Sequence, residues 1–242
     1  MRTALFFAAV SALALGGCAS IQPARMALPQ ELASTAVTLP VTGIGGGRSG
    51  LFRAGSYSGR YSRSDERIAL FDPLFERRDG RTDFELTGPE VVGSIRVACR
   101  AQERTVTLGV LSVETQPMAF GCDISSAGSD RTRLEVRAYR EGVGGRLMRH
   151  ERRGEITLDG ASLQIRSVHD VEGSGVQLAT PIGYVFELDG IPVGAVEING
   201  SPVIRHVPEA DPSVLRALTV AAIALGLFWD PAESALGREA EQ

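Results

Sequence analysis

The sequence contains no lysine, and it is poor in histidine, cysteine and aromatic residues. All 25 of its basic residues are arginine, 29 residues are acidic, and the formal net charge is −4. A nucleic-acid-binding domain favours a basic face, so this mildly acidic balance argues against a nucleic-acid partner. The use of arginine for lysine selects no ligand by itself, and the codon bias of a GC-rich genome accounts for it.

The short motifs of common enzymes are also missing. No GxSxG, HExxH or SxxK motif occurs, and the only histidines are His150, His169 and His206. Neither Cys99 nor Cys122 has a CxxC neighbour or a histidine at ligand spacing, so the sequence does not indicate a metal site. We therefore expect a protein that has no metal or cofactor and is not an enzyme.

One glycine-rich segment has two interpretations. Residues 45–50 match GxGxxG, which binds a dinucleotide only where it ends a strand and opens a helix. Residues 51–56, which follow, contain too much glycine and serine for that helix. We expect a flexible loop here, placed at a mouth of the folded domain.

The first 18 residues have the form of an export signal. Arg2 supplies a positive charge and residues 4–15 an apolar run, whose 12 residues suit a signal peptide and are too few for a spanning helix. The run ends in Leu15-Gly16-Gly17-Cys18, which resembles the bacterial lipobox. The resemblance implies that residues 1–17 are removed and that Cys18 carries acyl chains such as palmitate on its sulfur and its new amino group. Ordinary secretion with a free Cys18 thiol is the other interpretation.

The residues after Cys18 bear on the membrane in which the protein is expected and on the tether that joins its anchor to the domain. An Asp directly after Cys18 would resemble the signal for retention in the inner membrane. Ala19 occupies this position, which implies the outer membrane, facing the periplasm. Residues 18–34 contain Pro23 and Pro29 and no sustained period, which predicts a tether of at most ~50 Å. We expect a single β-rich domain over residues 35–231 and a polar tail over residues 232–242.

Short alternating runs predict antiparallel strands. Residues 94–102 put apolar side chains on one face and arginines on the other, and residues 133–139 alternate in the same way. Such runs are separated by dipeptides typical of type I′ hairpins, namely Asp79-Gly80, Asp159-Gly160, Asp189-Gly190 and Asn199-Gly200. With only local connections available, the chain should form an antiparallel meander.

One helix interrupts this pattern near the C-terminus. Asp211-Pro212 marks a helix start and Asp230-Pro231 its end. Between them, residues 217–229 have no charge and no polar face, so a helix over about 212–229 must be buried on all sides. Its apolar part covers ~20 Å, which is short of a ~30 Å bilayer core. We predict a mainly β fold, with the antiparallel meander closing into a barrel-like sheet around this one hydrophobic C-terminal α-helix.

This arrangement resembles the tubby C-terminal superfamily, which also contains the phospholipid scramblase and LURP-one-related domains. The resemblance covers residues 155–231 and rests on the pattern of strands followed by an apolar helix. It implies a closed antiparallel barrel that encloses a hydrophobic helix. The phosphoinositide-binding role of the tubby domain is not implied, because the chain has no matching Lys/Arg motif.

Cys99 and Cys122 form an even pair in an exported chain, which predicts a disulfide. If Thr105–Val113 were a strand between them in a flat meander, the cysteines would lie ~9.6 Å apart, beyond the ~7 Å limit for a bridge. We therefore expect that this middle segment leaves the sheet or that the strands curl sharply, so that the bridge reports on the curvature of the barrel.

A basic run lies in the middle of the chain. Arg146, Arg149, Arg152 and Arg153 are candidate contacts for anionic lipid or lipopolysaccharide phosphates, because guanidinium groups pair with phosphate oxygens. A solvated strand and turn is the alternative interpretation.

Together these features predict a lipid-anchored periplasmic lipoprotein that acts as a non-enzymatic binding or structural module of the cell envelope. Its expected partners are the membrane, through the acyl chains, and an envelope protein or anionic lipid. Two alternatives remain open. One is a periplasmic hydrolase with a loop-built site near His169, where His169-Asp170 offers a base and its orienter. The other is an accessory subunit of an envelope machine.

Overall fold

The computed structural model describes residues 24–70, 75–89, 91–108, 111–127, 132–139 and 150–228. These residues form twelve strands and two helices. The strands are β1 (Val37–Thr42), β2 (Ser49–Ala54), β3 (Tyr57–Leu70), β4 (Phe75–Thr87), β5 (Ile95–Leu108), β6 (Leu111–Ser125), β7 (Arg133–Tyr139), β8 (Glu151–Leu158), β9 (Ala161–Val168), β10 (Gly183–Leu188), β11 (Ile191–Glu197) and β12 (Val203–His206). The helices are α1 (Gln30–Ala33) and α2 (Pro212–Leu227).

The twelve described strands form one closed antiparallel barrel, in which each strand pairs with its neighbours in sequence. The ring is closed by β1, which pairs with β12 from Val37 opposite His206 to Pro40 opposite Val203, and with β2 on its other side. The predicted fold class, a mainly β meander closing around a C-terminal helix, is therefore confirmed.

Three of the predicted turns join neighbouring strands. Asp159-Gly160 has φ values of 50° and 83°, and Asp189-Gly190 has 52° and 81°. Positive φ at both residues is what a type I′ hairpin requires. At Asn199-Gly200 only the glycine has positive φ, and residues 198–202 make a longer connection between β11 and β12. The type I′ prediction is therefore wrong at this third turn.

The fourth predicted turn, Asp79-Gly80, is also wrong. These two residues lie inside β4, where Asp79 is opposite Glu66 of β3 and Gln102 of β5. Pairing with a strand on each side holds the dipeptide in extended conformation, and this tertiary pairing outweighs its local preference for a turn.

Cys99 and Cys122 form the predicted disulfide, but not in the predicted geometry. They lie opposite one another on the neighbouring strands β5 and β6, with their Cα atoms 3.9 Å apart. Residues 105–113 do not form a strand between them, because β5 runs to Leu108 and β6 begins at Leu111 in a single long hairpin. The bridge therefore joins adjacent strands and does not report on the curvature of the barrel.

The helix α2 lies within the barrel. Asp211 caps its N-terminus by accepting a hydrogen bond from the Ser213 amide at 2.8 Å. Every residue from Ala217 to Leu225 is at most 1% exposed, and the helix contacts β4, β8, β9, β11 and β12. A helix with no polar face thus finds apolar partners on all sides. It ends at Leu227, and the last residue of the predicted span lies outside the described residues.

Residues 24–36 pack on the outside of the barrel, which corrects the predicted tether over residues 18–34. Met26 and Leu32 are at most 2% exposed and form a second apolar cluster with Val185 of β10 and Ala195 of β11. Because β10 is covered on both faces, it has a continuous apolar run instead of an alternating one. Of the predicted tether, residues 18–23 remain, and they lie outside the described residues together with the predicted signal peptide.

Candidate functional site at the mouth of the barrel

Buried polar side chains gather at the end of the barrel where α2 ends, which we call the mouth. They are Arg63 of β3, Arg152 of β8, Ser167 of β9, His169 just after β9, and Tyr184 of β10. Burying a charge or a polar group is costly unless it is hydrogen-bonded. The hydrogen-bond partners of these five side chains therefore indicate the role of the mouth.

Arg63 binds the C-terminal end of α2 to the glycine-rich loop. Its guanidinium donates to the carbonyl oxygen of Leu227 at 3.4 Å, to that of Gly47 at 3.0 Å and to that of Gly45. The last carbonyls of a helix have no partner within the helix and carry partial negative charge, so a cation is favourable here. Burial lowers the pKa of Arg63, opposed by the charge of Tyr61.

The GxGxxG segment is therefore a structural loop of the mouth. It presents carbonyl oxygens to a guanidinium, whereas a dinucleotide site would present amide groups to a pyrophosphate. The chain continues from this loop into β2 and not into a helix, in agreement with the prediction of a loop.

Arg152 occupies the other side of the helix end. Its guanidinium lies 5.4 Å from the ring centre of Phe228 and donates to the Tyr184 hydroxyl at 3.1 Å. The Phe228 ring also packs against Phe120 of β6, with ring centres 4.7 Å apart. The end of α2 is thus closed by aromatic rings and by two buried guanidinium groups.

The structure divides the predicted arginine cluster. Arg152 is 4% exposed and lies inside the barrel, so the prediction that it contacts anions at the surface is wrong. Arg153 lies on the outer face, 3.8 Å from the Glu151 carboxylate and 4.9 Å from the ring centre of Tyr139. Neighbouring residues of a strand point to opposite faces, which separates the two arginines. Arg146, Arg149 and the lipidation residue Cys18 lie outside the described residues.

Ser167 and His169 form a hydrogen-bonded pair within the mouth. The His169 Nδ1 lies 2.9 Å from the Leu178 carbonyl oxygen, which can only accept, so Nδ1 carries the proton. In the neutral ring, Nε2 then accepts from the Ser167 hydroxyl at 3.1 Å, and that hydroxyl accepts the Arg152 amide at 2.9 Å. A serine that donates to a histidine is also the arrangement of a nucleophile and its base.

One concavity lies on the outer face of the barrel, away from the mouth. It has a volume of about 650 Å³ and is lined by residues of β1 to β4, including Leu51, Arg60 and Glu85. The Glu85 carboxylate accepts from Ser94 and from Arg60, both at 2.6 Å. These hydrogen bonds, that of Ser94 first, lower the pKa of Glu85. This wall offers a shallow, charged surface for binding.

Comparison of the chain with protein-family models, curated proteins and solved structures finds no match. Among the described residues, no helix has both the length and the hydropathy needed to cross a membrane. In the same part of the chain, no group of three or more histidine, cysteine, aspartate or glutamate side chains is arranged to hold a metal ion.

Sequence reasoning named His169 but missed Arg63, Ser167 and Tyr184. One signal could have placed Arg152 correctly, because it has the same parity as Ile156 and Leu158, which face the core. The Ser167–His169 contact had no comparable signal, since residues two apart share a face in every strand.

Proposed function

We propose that this protein is a lipoprotein of the cell envelope, anchored through acylated Cys18 to the outer membrane and facing the periplasm. The observation that carries the proposal is the apolar run that ends in Leu15-Gly16-Gly17-Cys18. The Cys99–Cys122 disulfide supports it, because such bonds persist in oxidising compartments outside the cytosol.

In this proposal the barrel is a non-enzymatic binding or structural module. Its interior is occupied by α2, so the space that holds a ligand in other small barrels is filled with side chains. The mouth is closed by hydrogen bonds between Arg63, the helix end and the glycine-rich loop. Binding is therefore assigned to the outer faces and rims. Kinship with the tubby-like domains is proposed on the same pattern of a barrel around a helix.

The anchor is tested by the mass and the location of the mature chain. In a host with an outer membrane, the protein should begin at Cys18, incorporate labelled palmitate and sediment with outer membranes. The Cys18→Ala variant should lose the label and the mature N-terminus. A control in which Cys99 and Cys122 are both alanine should keep both. An intact mass showing an uncleaved or unacylated N-terminus would end the proposal.

The Ser167–His169 pair favours a second candidate function, hydrolysis. A catalytic pair would give hydrolysis of p-nitrophenyl acetate that disappears in both Ser167→Ala and His169→Ala. The non-enzymatic proposal instead expects only background hydrolysis, equal in the three proteins, and lower stability in the variants, because each leaves a buried partner without its hydrogen bond.

A further inference from the structure

The concavity on the outer wall of β1 to β4 has a volume of about 650 Å³, within the range of small-ligand sites. Its side chains form two rows across the strands. In the first row, Arg53 of β2 is opposite Thr42 of β1 on one side and Ser58 of β3 on the other. Ser58 is in turn opposite Thr87 of β4. Directly opposite residues share a face of the sheet, so one guanidinium lies between hydroxyl groups.

The second row supplies an apolar side chain and a second guanidinium. Leu51 is opposite Arg60, and Arg60 is opposite Glu85. The Leu51 side chain is 75% exposed. Arg53 and Arg60 are diagonal neighbours on β2 and β3, a separation that long side chains span. Both guanidinium groups can therefore reach one ligand group, with Leu51 beside it.

A glycine leaves one corner of the concavity open. The strand β1 ends at Thr42, and Gly43 follows with a φ of 87°. A Cβ added at Gly43 would overlap the carbonyl oxygen of Leu51. Glycine tolerates both the positive φ and this close approach. The second row therefore has no side chain on the β1 side, and Leu51 is left uncovered.

The two guanidinium groups differ in their partners. Arg60 donates to the Glu85 carboxylate at 2.6 Å, and Ser94 donates to the same carboxylate at 2.6 Å. In the part of the chain that the structure describes, no oxygen accepts a hydrogen bond from the Arg53 guanidinium. A guanidinium has five N–H donors in a planar fork that fits a carboxylate. Arg53 can thus offer its donors to a ligand, and Arg60 adds positive charge beside it.

The rest of the lining suits a peptide better than an alkyl chain. Thr87 donates to the Ser58 carbonyl oxygen at 3.2 Å, and its Oγ1 lies 3.4 Å from the Ser58 Oγ. A hydroxyl group both donates and accepts hydrogen bonds, as the amide groups of a peptide require. An alkyl chain would find only Leu51, because Phe52, the other large apolar residue of the lining, is 3% exposed and faces the interior.

We propose that this concavity binds the C-terminal carboxylate of a peptide whose last residue is apolar. The carboxylate pairs with Arg53, and the last side chain packs on Leu51. The preceding amide groups form hydrogen bonds with the hydroxyl groups of Ser58 and Thr87. Capture of a terminal carboxylate is a recurring mode of peptide recognition.

Charge complementarity favours this occupant. The lining contains two guanidinium groups, those of Arg53 and Arg60, and one carboxylate, that of Glu85, in a chain whose net charge is −4. The concavity is thus a positive site on an acidic protein, which attracts an anionic group. The inference rests on the proposed role as a binding module and deepens it, since the ligand becomes the C-terminus of an envelope protein.

The test measures binding of a fluorescein-labelled peptide, GSGSL, with a free C-terminal carboxylate. The protein is the whole chain after the predicted signal peptide, residues 18–242, with Cys18→Ser so that no acyl chain contributes. Fluorescence anisotropy should show saturable binding. The same peptide with a C-terminal amide should bind about tenfold more weakly or worse, because the charged hydrogen-bonded pair is lost. The peptide GSGSD should also bind more weakly, because its last side chain is charged.

Two pairs of variants locate the site. Arg53→Gln should weaken the binding of GSGSL by about tenfold or more. Its matched control is Arg48→Gln, which removes the same charge from an exposed position outside the concavity and should bind as the parent protein does. Leu51→Ser should reduce the preference for GSGSL over GSGSD, whereas Ile191→Ser, at a position 63% exposed in β11, should not. All four side chains are exposed, so circular dichroism melts should stay unchanged.

Competition identifies the source of the carboxylate. Octanoate carries a carboxylate on an alkyl chain, and inorganic phosphate carries charge alone. Each should displace labelled GSGSL only at concentrations about tenfold or more above those of the unlabelled peptide. Displacement by octanoate at equal concentration would assign the concavity to a fatty acid, and displacement by phosphate would assign it to anions in general. Either result would overturn the proposal.

Three other results would also overturn it. They are the absence of saturable binding, equal binding of the free acid and the amide, and equal loss in Arg53→Gln and Arg48→Gln. The outcome is independent of the anchor. If Cys18 is unmodified in the host while GSGSL binds as described, the lipoprotein proposal fails and the peptide site remains. If Cys18 is acylated and GSGSL does not bind, the anchor stands and the peptide site fails.

Discussion

Replacement of Gly194 by alanine tests whether α2 is held against the inner wall of the barrel. A Cβ at Gly194, in β11, would overlap Cδ1 of Leu218 in α2 and lie 2.8 Å from the carbonyl oxygen of Arg205 in β12. The Leu218 side chain can turn aside only into a packed interior, and the carbonyl belongs to a paired strand. Gly194→Ala should therefore lower the free energy of unfolding by ~1–3 kcal/mol, as overpacking does.

A double-mutant cycle tests whether the contact with Leu218 of α2 causes the loss of stability in Gly194→Ala. Leu218→Ala alone should cost ~2–5 kcal/mol, because the side chain is fully buried and leaves a cavity. In the double variant, the cavity left by Leu218→Ala accepts the methyl group added at position 194. The double variant should therefore be more stable than the sum of the losses in the two single variants predicts. We expect a coupling of at least ~1 kcal/mol, within the range of residues in contact.

The measurement is equilibrium urea unfolding of the unacylated chain, followed by circular dichroism. Gly121→Ala is the matched control, because Gly121 is also a strand glycine but an added Cβ would have only the Leu134 carbonyl oxygen nearby, at 3.9 Å. Its stability should stay within ~0.5 kcal/mol of the parent. Additive losses for Gly194 and Leu218, or an unaffected Gly194→Ala protein, would refute the placement of α2 against β11.

Three other predictions concern stability. Ala221→Asp should cost several kcal/mol of the ~5–15 kcal/mol available, because it buries a carboxylate in the fully enclosed helix; an unchanged thermal melt would contradict the enclosure. Alanine at both Cys99 and Cys122 should lower the free energy of unfolding by about 3 kcal/mol, through loss of a cross-link between residues 23 apart, and equal urea midpoints would count against this. Ser94→Ala should raise the depressed pKa of Glu85, observable by NMR titration. A carboxyl group with a lowered pKa stabilises the fold above its unfolded-state pKa, and this contribution is lost as the pH falls through its folded-state pKa. The variant should therefore lose less stability between neutral and acidic pH, and parallel profiles of variant and parent would refute this role.

Much of the fold follows from local pattern. Alternation in residues 133–139 and the turns at Asp159-Gly160 and Asp189-Gly190 predict neighbouring antiparallel strands, because strand period and positive φ are local properties. Residues 217–229 have no polar face, which predicts an enclosed helix. A helix that is apolar on every side is unstable when its surface is exposed to water.

The site was less predictable. His169 was named from its type alone, whereas its pairing with Ser167, and the contacts of Arg63 with the loop and the helix end, join residues whose meeting depends on closure of the ring. The prediction of a surface arginine cluster was wrong for Arg152 because strand parity, and not charge, decides which side chains face inward.

Local sequence pattern was enough to predict the class of the fold, a meander of antiparallel strands with one apolar helix to cover. The tertiary structure decided how far the strands run, where residues 24–36 pack, and which polar side chains meet at the mouth. Asp79-Gly80 illustrates the physical reason. Its local preference is for a turn, but hydrogen bonding to a strand on each side of β4 keeps it extended, and that pairing exists only once β3, β4 and β5 have come together.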